Sequence, residues 1–144
     1  MLQAVQAGQS ASRRLRILVV GVDGLDPSTV AADLVRSWGY CVERAKTARA
    51  ALEIVDAFRP RVVILDVSLP DMHGYELARQ IRHKAGGRKT HFVVITGWMQ
   101  IADQLSSNAV GIAHHLVKPV PHQLVREILA AYQSTEEPTA SATS

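Results

Sequence analysis

Val62-Val63-Ile64-Leu65-Asp66, followed by Leu69-Pro70-Asp71-Met72-His73-Gly74-Tyr75-Glu76-Leu77, is the stretch whose reading decides the fold. A short unbroken run of branched apolar residues reads as a strand buried on both faces, as in a parallel sheet. Asp66 then stands where that strand emerges at its carboxyl end, the edge of an open α/β sheet at which ligands bind. Working outward, three further apolar runs also end in polar residues. Residues 15–21 lead into Val22-Asp23-Gly24, Phe92-Val93-Val94-Ile95 ends in Thr96, and His115-Leu116-Val117 ends in Lys118-Pro119. With right-handed crossovers between parallel strands, two acids, a hydroxyl and an ammonium converge on one edge.

Helical patterns separate these runs. Asp26 and Pro27 suit the N-cap and first position of a helix over residues 27–38, with Val30, Leu34 and Val35 on its core face. Cys41-Val42-Glu43-Arg44-Ala45 reads as a second strand, in which Cys41 is an ordinary small buried hydrophobe. Thr47 caps a helix that ends before Pro60, with Ala51, Leu52 and Val55 facing inward. A helix follows the Pro70–Gly74 loop to about Lys84, and Gly86-Gly87 makes a turn. A shorter helix is expected near residues 103–108, and a last one over 121–132. Five βα units predict an α/β fold with a doubly wound five-stranded parallel sheet of order 2-1-3-4-5. Residues 1–14 read as a flexible N-terminal segment, 15–132 as the domain, and 133–144 as a disordered Ser/Thr/Glu/Pro-rich tail.

Composition agrees with one domain. The 144 residues hold 47% hydrophobic side chains and 16 basic against 13 acidic groups, the profile of a soluble globular chain. The small positive excess makes no case for nucleic acid. No stretch approaches the roughly 20 apolar residues that span a bilayer, and residues 1–14 lack the apolar core of a secretion signal. One cysteine excludes an internal disulfide and fits a cytoplasmic location.

Asp66, Thr96 and Lys118-Pro119, in that order and 30 and 22 residues apart, resemble the receiver domain of two-component response regulators over roughly residues 15–132. The likeness is to the chemotaxis-regulator type, a flavodoxin-like (βα)5 domain. Receivers carry an acidic pair after strand one, a phosphoacceptor Asp after strand three, Thr or Ser after strand four and Lys-Pro after strand five. The resemblance implies that Asp66 is the nucleophile, accepting phosphoryl from a histidine kinase or histidine phosphotransfer protein. It implies that Lys118 offers a compact cation to a phosphate oxygen, that Thr96 offers a hydroxyl, and that the bond before Pro119 is cis.

The acidic pair is where this chain departs from the pattern. Aligned from the strand start, Gly21 and Val22 replace both acids. Aligned by counting back 17 residues from Gly39 in Trp38-Gly39-Tyr40, Val22 replaces the first and Asp23 keeps the second. We adopt the second register. Mg²⁺ is the family's metal, so Asp23 and Asp66 are the expected ligands, holding it more weakly than a full pair because Val22 stands for an acid. Asp26 lies three residues on, but the capping role explains it more simply.

The expectation is therefore a single-domain response regulator, a cytoplasmic phosphoprotein of a two-component phosphorelay, that signals through contacts with an unidentified downstream protein. It is not an enzyme beyond self-catalysed gain and loss of phosphate. The resemblance also admits a homodimer. The alternative is a phosphorylation-independent pseudo-receiver, a protein-binding module suggested by Gly21 and Val22. An aspartate-nucleophile phosphatase is a weaker third reading of Val22-Asp23-Gly24-Leu25-Asp26, since such enzymes need further loops or a cap.

Receivers read phosphorylation through the fourth helix, fifth strand and fifth helix, with an aromatic residue three positions before the lysine. Here that residue is His115, either a switch or a half-exposed strand histidine. Trp98 beside Gly97 is open between a lid, a partner contact and a packed loop aromatic. The cluster Arg79, Arg82, His83, Lys84, Arg88 and Lys89 reads as a solvated helix end, since no stacking aromatics interleave with it. His114, His115 and His122 lack the acid or cysteine that would complete a metal site.

Overall fold

The apolar runs become five strands of one sheet in a computed structural model that describes residues 14–21, 30–97 and 112–136. These are β1 (Arg16–Val20), β2 (Cys41–Ala45), β3 (Val62–Asp66), β4 (His91–Thr96) and β5 (Ile112–Val117). All pairings are parallel, and the order is β2-β1-β3-β4-β5. β3 is central and buried at every residue, which is why it reads as an unbroken apolar run. β2 and β5 lie at the edges and tolerate Glu43, Arg44 and His114 in mid-strand.

Alternate side chains of the strands feed two separate cores. Ile17, Val19, Ile64, Val93 and Ile95 point to one face, where Val30, Val35, Val125 and Leu129 cover them. Leu18, Val20, Val63, Leu65 and Val94 point to the other, under Ala51, Val55, Leu77 and Ile81. Each fully buried aliphatic side chain contributes about 1.5–3 kcal/mol, so the strand order is held chiefly by these two faces.

The described helices are α1 (Ala32–Ser37), α2 (Ala48–Phe58), α3 (Gly74–His83) and α4 (His122–Glu136). Thr47 caps α2 as expected, its hydroxyl accepting the Ala50 N–H at 3.1 Å. Asp71, from the loop after β3, adds a second cap: its carboxylate accepts the Ala48 and Arg49 N–H groups at 2.9 and 3.0 Å. That contact ties the loop beside Asp66 to the start of α2.

Several boundaries differ from the sequence reading. α1 begins at Ala32, later than the start expected at residue 27; its N-cap, Ala31, is extended and has no side-chain cap. Val30 is fully buried just ahead of the helix, a core residue on non-helical backbone. α4 runs to Glu136, past the expected end at Tyr132, and Gln133 accepts the Leu15 N–H at 2.8 Å, a tertiary bond that no local pattern announces. Cys41 is partly exposed because it opens an edge strand. Asp23, Asp26, Trp98 and the helix expected near 103–108 lie outside the described residues. Among the described residues no helix is long and apolar enough to cross a membrane.

Candidate functional site at the carboxyl edge of the sheet

Asp66 is the last residue of β3, Thr96 the last of β4, and Lys118 follows the last residue of β5. Register brings them together: Asp66 pairs with Ile95, Thr96 pairs with Val117, and the Lys118 N–H donates to the Thr96 carbonyl at 2.9 Å. The three residues joined by spacing in the sequence thus share one corner of the sheet edge. The peptide between Lys118 and Pro119 is cis, as the resemblance implied.

The Lys118 ammonium donates to Asp66 Oδ2 at 3.0 Å, and the Ser68 N–H donates to Oδ1 at 2.9 Å. The Asp66 side chain keeps 12% of its exposure and Lys118 28%, so the pair is half-shielded but reachable. Such a contact is a charge-assisted hydrogen bond, stronger than a neutral one. Ser68 went unnoticed in the sequence, since a backbone N–H two residues after an Asp is available in almost any turn.

Thr96 is fully buried, and its Oγ1 has no hydrogen-bond partner among the described residues. A buried hydroxyl left unpaired costs about 1–3 kcal/mol. The site therefore holds one hydroxyl whose bonding capacity the described structure does not use.

On the β1 side the edge is occupied by Gly21. It follows the last β1 residue with φ of +72°, and its N–H donates to the Ala45 carbonyl at 2.8 Å. A Cβ placed on Gly21 would stand 3.8 Å from the Asp66 Cβ and would overlap the Leu69 side chain. Leu69 thus covers the position just after β1 from which a side chain would adjoin Asp66. Of the two expected metal ligands, Asp66 is at the edge and Asp23 lies outside the described residues. The described part supplies one carboxylate, enough for a cation held mainly by waters and phosphate oxygens and too little for a protein cage. No group of three or more His, Cys, Asp or Glu capable of holding a metal occurs among the described residues.

His115 is half-buried on β5, and the ring of Tyr75, near the start of α3, meets it edge-on at 5.9 Å. The His73 ring also approaches Tyr75, at 5.0 Å between ring centroids. The His115 Nε2 is buried without a hydrogen-bond partner among the described residues, and burial pushes the imidazole pKa below its ordinary 6.5. Burial thus favours the neutral form of His115, which packs against Tyr75. Sequence placed His115 three positions before Lys118; the partnership with Tyr75, forty residues away, required the fold.

Comparison with known proteins places this geometry. Residues 23–130 match the response regulator receiver domain family. The chain is 34% identical over 108 residues to the response regulator MprA of Mycolicibacterium vanbaalenii, covering 73% of this chain and 44% of that one. The chain therefore spans less than half the length of that relative. The crystal structure of a CheY-like receiver domain protein from Methanospirillum hungatei superposes with a TM-score of 0.72 at 26% identity, covering 85% of this chain and 96% of that chain. The receiver domain of the sensor histidine kinase PA1611 from Pseudomonas aeruginosa, solved with magnesium coordinated in its active-site cleft, gives 0.71 at 25% identity over 84% of this chain and 98% of that one.

Proposed function

The chain belongs to the response regulator receiver domain family, and we propose that it acts by accepting a phosphoryl group on Asp66 and passing the change on through protein contacts. The observation that carries this is the Asp66–Lys118 contact of 3.0 Å at the carboxyl edge of the sheet, beside the buried Thr96 hydroxyl. The donor is a histidine kinase or a histidine phosphotransfer protein, the partners that the family implies.

In the transfer, an Asp66 carboxylate oxygen forms a bond to phosphorus as the bond from phosphorus to the donor imidazole nitrogen breaks. The nitrogen keeps the electron pair, and Asp66 becomes an acyl phosphate. Lys118, already 3.0 Å from Oδ2, moves its charge to a phosphoryl oxygen without leaving the edge. The Thr96 hydroxyl then gains the partner it lacks. A Mg²⁺ ion held by Asp66 and Asp23 would offset the repulsion between carboxylate and phosphoryl oxygens. With Val22 where receivers carry the first acid, that ion would be held more weakly than by a full acidic pair.

The test is an amide NMR titration with Mg²⁺ and then beryllofluoride, with Asp66→Asn as control. Shifts at Ser68, Thr96 and Lys118 that vanish in the control are expected. A flat response in the unaltered protein would sink the proposal and favour the phosphorylation-independent reading motivated by Gly21 and Val22.

A further inference from the structure

The opposite end of the sheet holds a cavity of about 470 Å³ lined by Arg59, Pro60, Arg61, Ala85, Gly86, Arg88 and Lys89. We propose that this pocket binds a compact anion carrying two or more phosphate groups. Four of its seven lining residues are cationic and none is acidic. They come from two segments, the α2–β3 connection and the turn after α3, which the fold folds together.

The frame of the pocket is fixed by hydrogen bonds of its two segments. The buried Thr90 hydroxyl donates to the Pro60 carbonyl at 2.6 Å, and the His91 N–H to the Arg61 carbonyl at 2.8 Å. Arg82 is withdrawn from the cluster: its guanidinium donates to the Arg88 carbonyl at 3.0 Å and lies 5.3 Å from the centre of the Phe92 ring. Arg79 is paired with Glu76, and Lys84 with Asp56. Asp56, a nearby carboxylate, also accepts the Gly86 N–H at 2.9 Å and lies within electrostatic reach of Arg59. The basic run seen in the sequence is thus divided. Arg79, Arg82 and Lys84 serve the fold, while Arg88 and Lys89 join Arg59 and Arg61 at the cavity.

The chemistry of the lining selects among anions. Guanidinium groups bind phosphate oxygens in pairs, and a cavity ringed by like charges raises the local concentration of a multiply charged anion. A single-stranded nucleic acid needs a track with stacking faces, and no aromatic residue lines this cavity. The volume lies within the range of small-ligand sites. An oligophosphate chain, free or as the tail of a nucleotide, has the size and charge to match. Arg61 immediately precedes β3 and Asp66 ends it, so the pocket lies roughly 16 Å from the phosphoryl site, the rise of five strand residues. The two sites do not compete.

The experiment is calorimetric titration of the whole chain with sodium tripolyphosphate, ATP and orthophosphate in about 0.1 M salt, where long-range attraction is already screened. Saturable binding of tripolyphosphate is expected, with orthophosphate much weaker. Removing two charge-assisted contacts in Arg88→Ala/Lys89→Ala weakens it by about a hundredfold, about tenfold for each. Both residues are exposed, so the fold is kept. Arg59→Asn is a second variant that suits the left-handed backbone at φ of 53°. Lys46→Ala, outside the pocket, and Asp66→Asn leave binding unchanged. ATP binding as tightly as tripolyphosphate identifies a nucleotide tail as an equal source, and weaker ATP binding identifies the free chain. Absent binding, equal losses from Lys46→Ala, or tighter binding of short single-stranded RNA would overturn the proposal.

Discussion

Gly21 and Gly39 form a natural pair for asking why no acid adjoins Asp66 on β1. Both have positive φ, +72° and +99°, but a Cβ on Gly21 meets the Leu69 side chain while one on Gly39 has nothing within 4 Å. Gly39→Ala should therefore lose only the backbone preference, about 1–2 kcal/mol. Gly21→Ala should lose the same and a further amount, about 1–3 kcal/mol, for displacing a packed side chain. The overlap begins at Cβ, so Gly21→Asp carries it as well. Urea unfolding at constant slope measures both penalties. Repeating Gly21→Ala in a Leu69→Ala background isolates the contact, and there its penalty should fall to that of Gly39→Ala. Equal penalties for the two glycines in the unaltered background, or no relief on removing Leu69, would refute the argument. If it holds, Leu69 is the reason that the acid facing Asp66 must come from beyond Gly21.

Three further outcomes are expected. Thr96→Val, which removes a buried hydroxyl without a partner among the described residues, should raise stability by about 1 kcal/mol while weakening the beryllofluoride response; a loss of stability would mean the hydroxyl is already bonded. His115 has its folded-state pKa depressed by burial, so the unfolded chain takes up a proton first as pH falls below 6.5. Stability should fall from pH 6.5 downward until the folded pKa is passed, and His115→Phe should remove that slope; an imidazole NMR titration midpoint at or above 6.5 would contradict it. The two helix N–H groups on Asp71 hold its carboxyl below the ordinary 3.8. Its contribution is then full above pH 3.8 and lost as pH falls through the folded value. Asp71→Asn should be less stable than the unaltered chain at pH 7 and converge on it in acid, and parallel unfolding curves across that range would argue against the cap.

How much was legible depended on whether the signal was local. β3 and the Asp66 that ends it were legible because a central parallel strand has no solvent face and its apolar run is continuous. The Thr47 cap was legible because a cap needs only the next turn of chain. The start of α1 differs from the local signal at Asp26-Pro27, since Val30 is buried on non-helical backbone ahead of the helix. The end of α4 was misread because Gln133 is held by Leu15, 118 residues away.

The order and spacing of Asp66, Thr96 and Lys118 were properties of the chain itself, because parallel βα units of regular length return each strand end to the same edge. The sequence by itself thus determined the fold class and that Asp66, Thr96 and Lys118 meet at one sheet edge. Tertiary structure alone decided the contacts across strands: the 3.0 Å bond from Lys118 to Asp66, the cover of Leu69 over Gly21, and the Tyr75 ring against His115. It also divided one basic run into charges that serve the fold and charges that line a cavity with Arg59 and Arg61. The physical reason is one of range. Periodicity and capping act within a few residues along the chain, whereas a side chain's partner is set by packing between segments that only the sheet brings together.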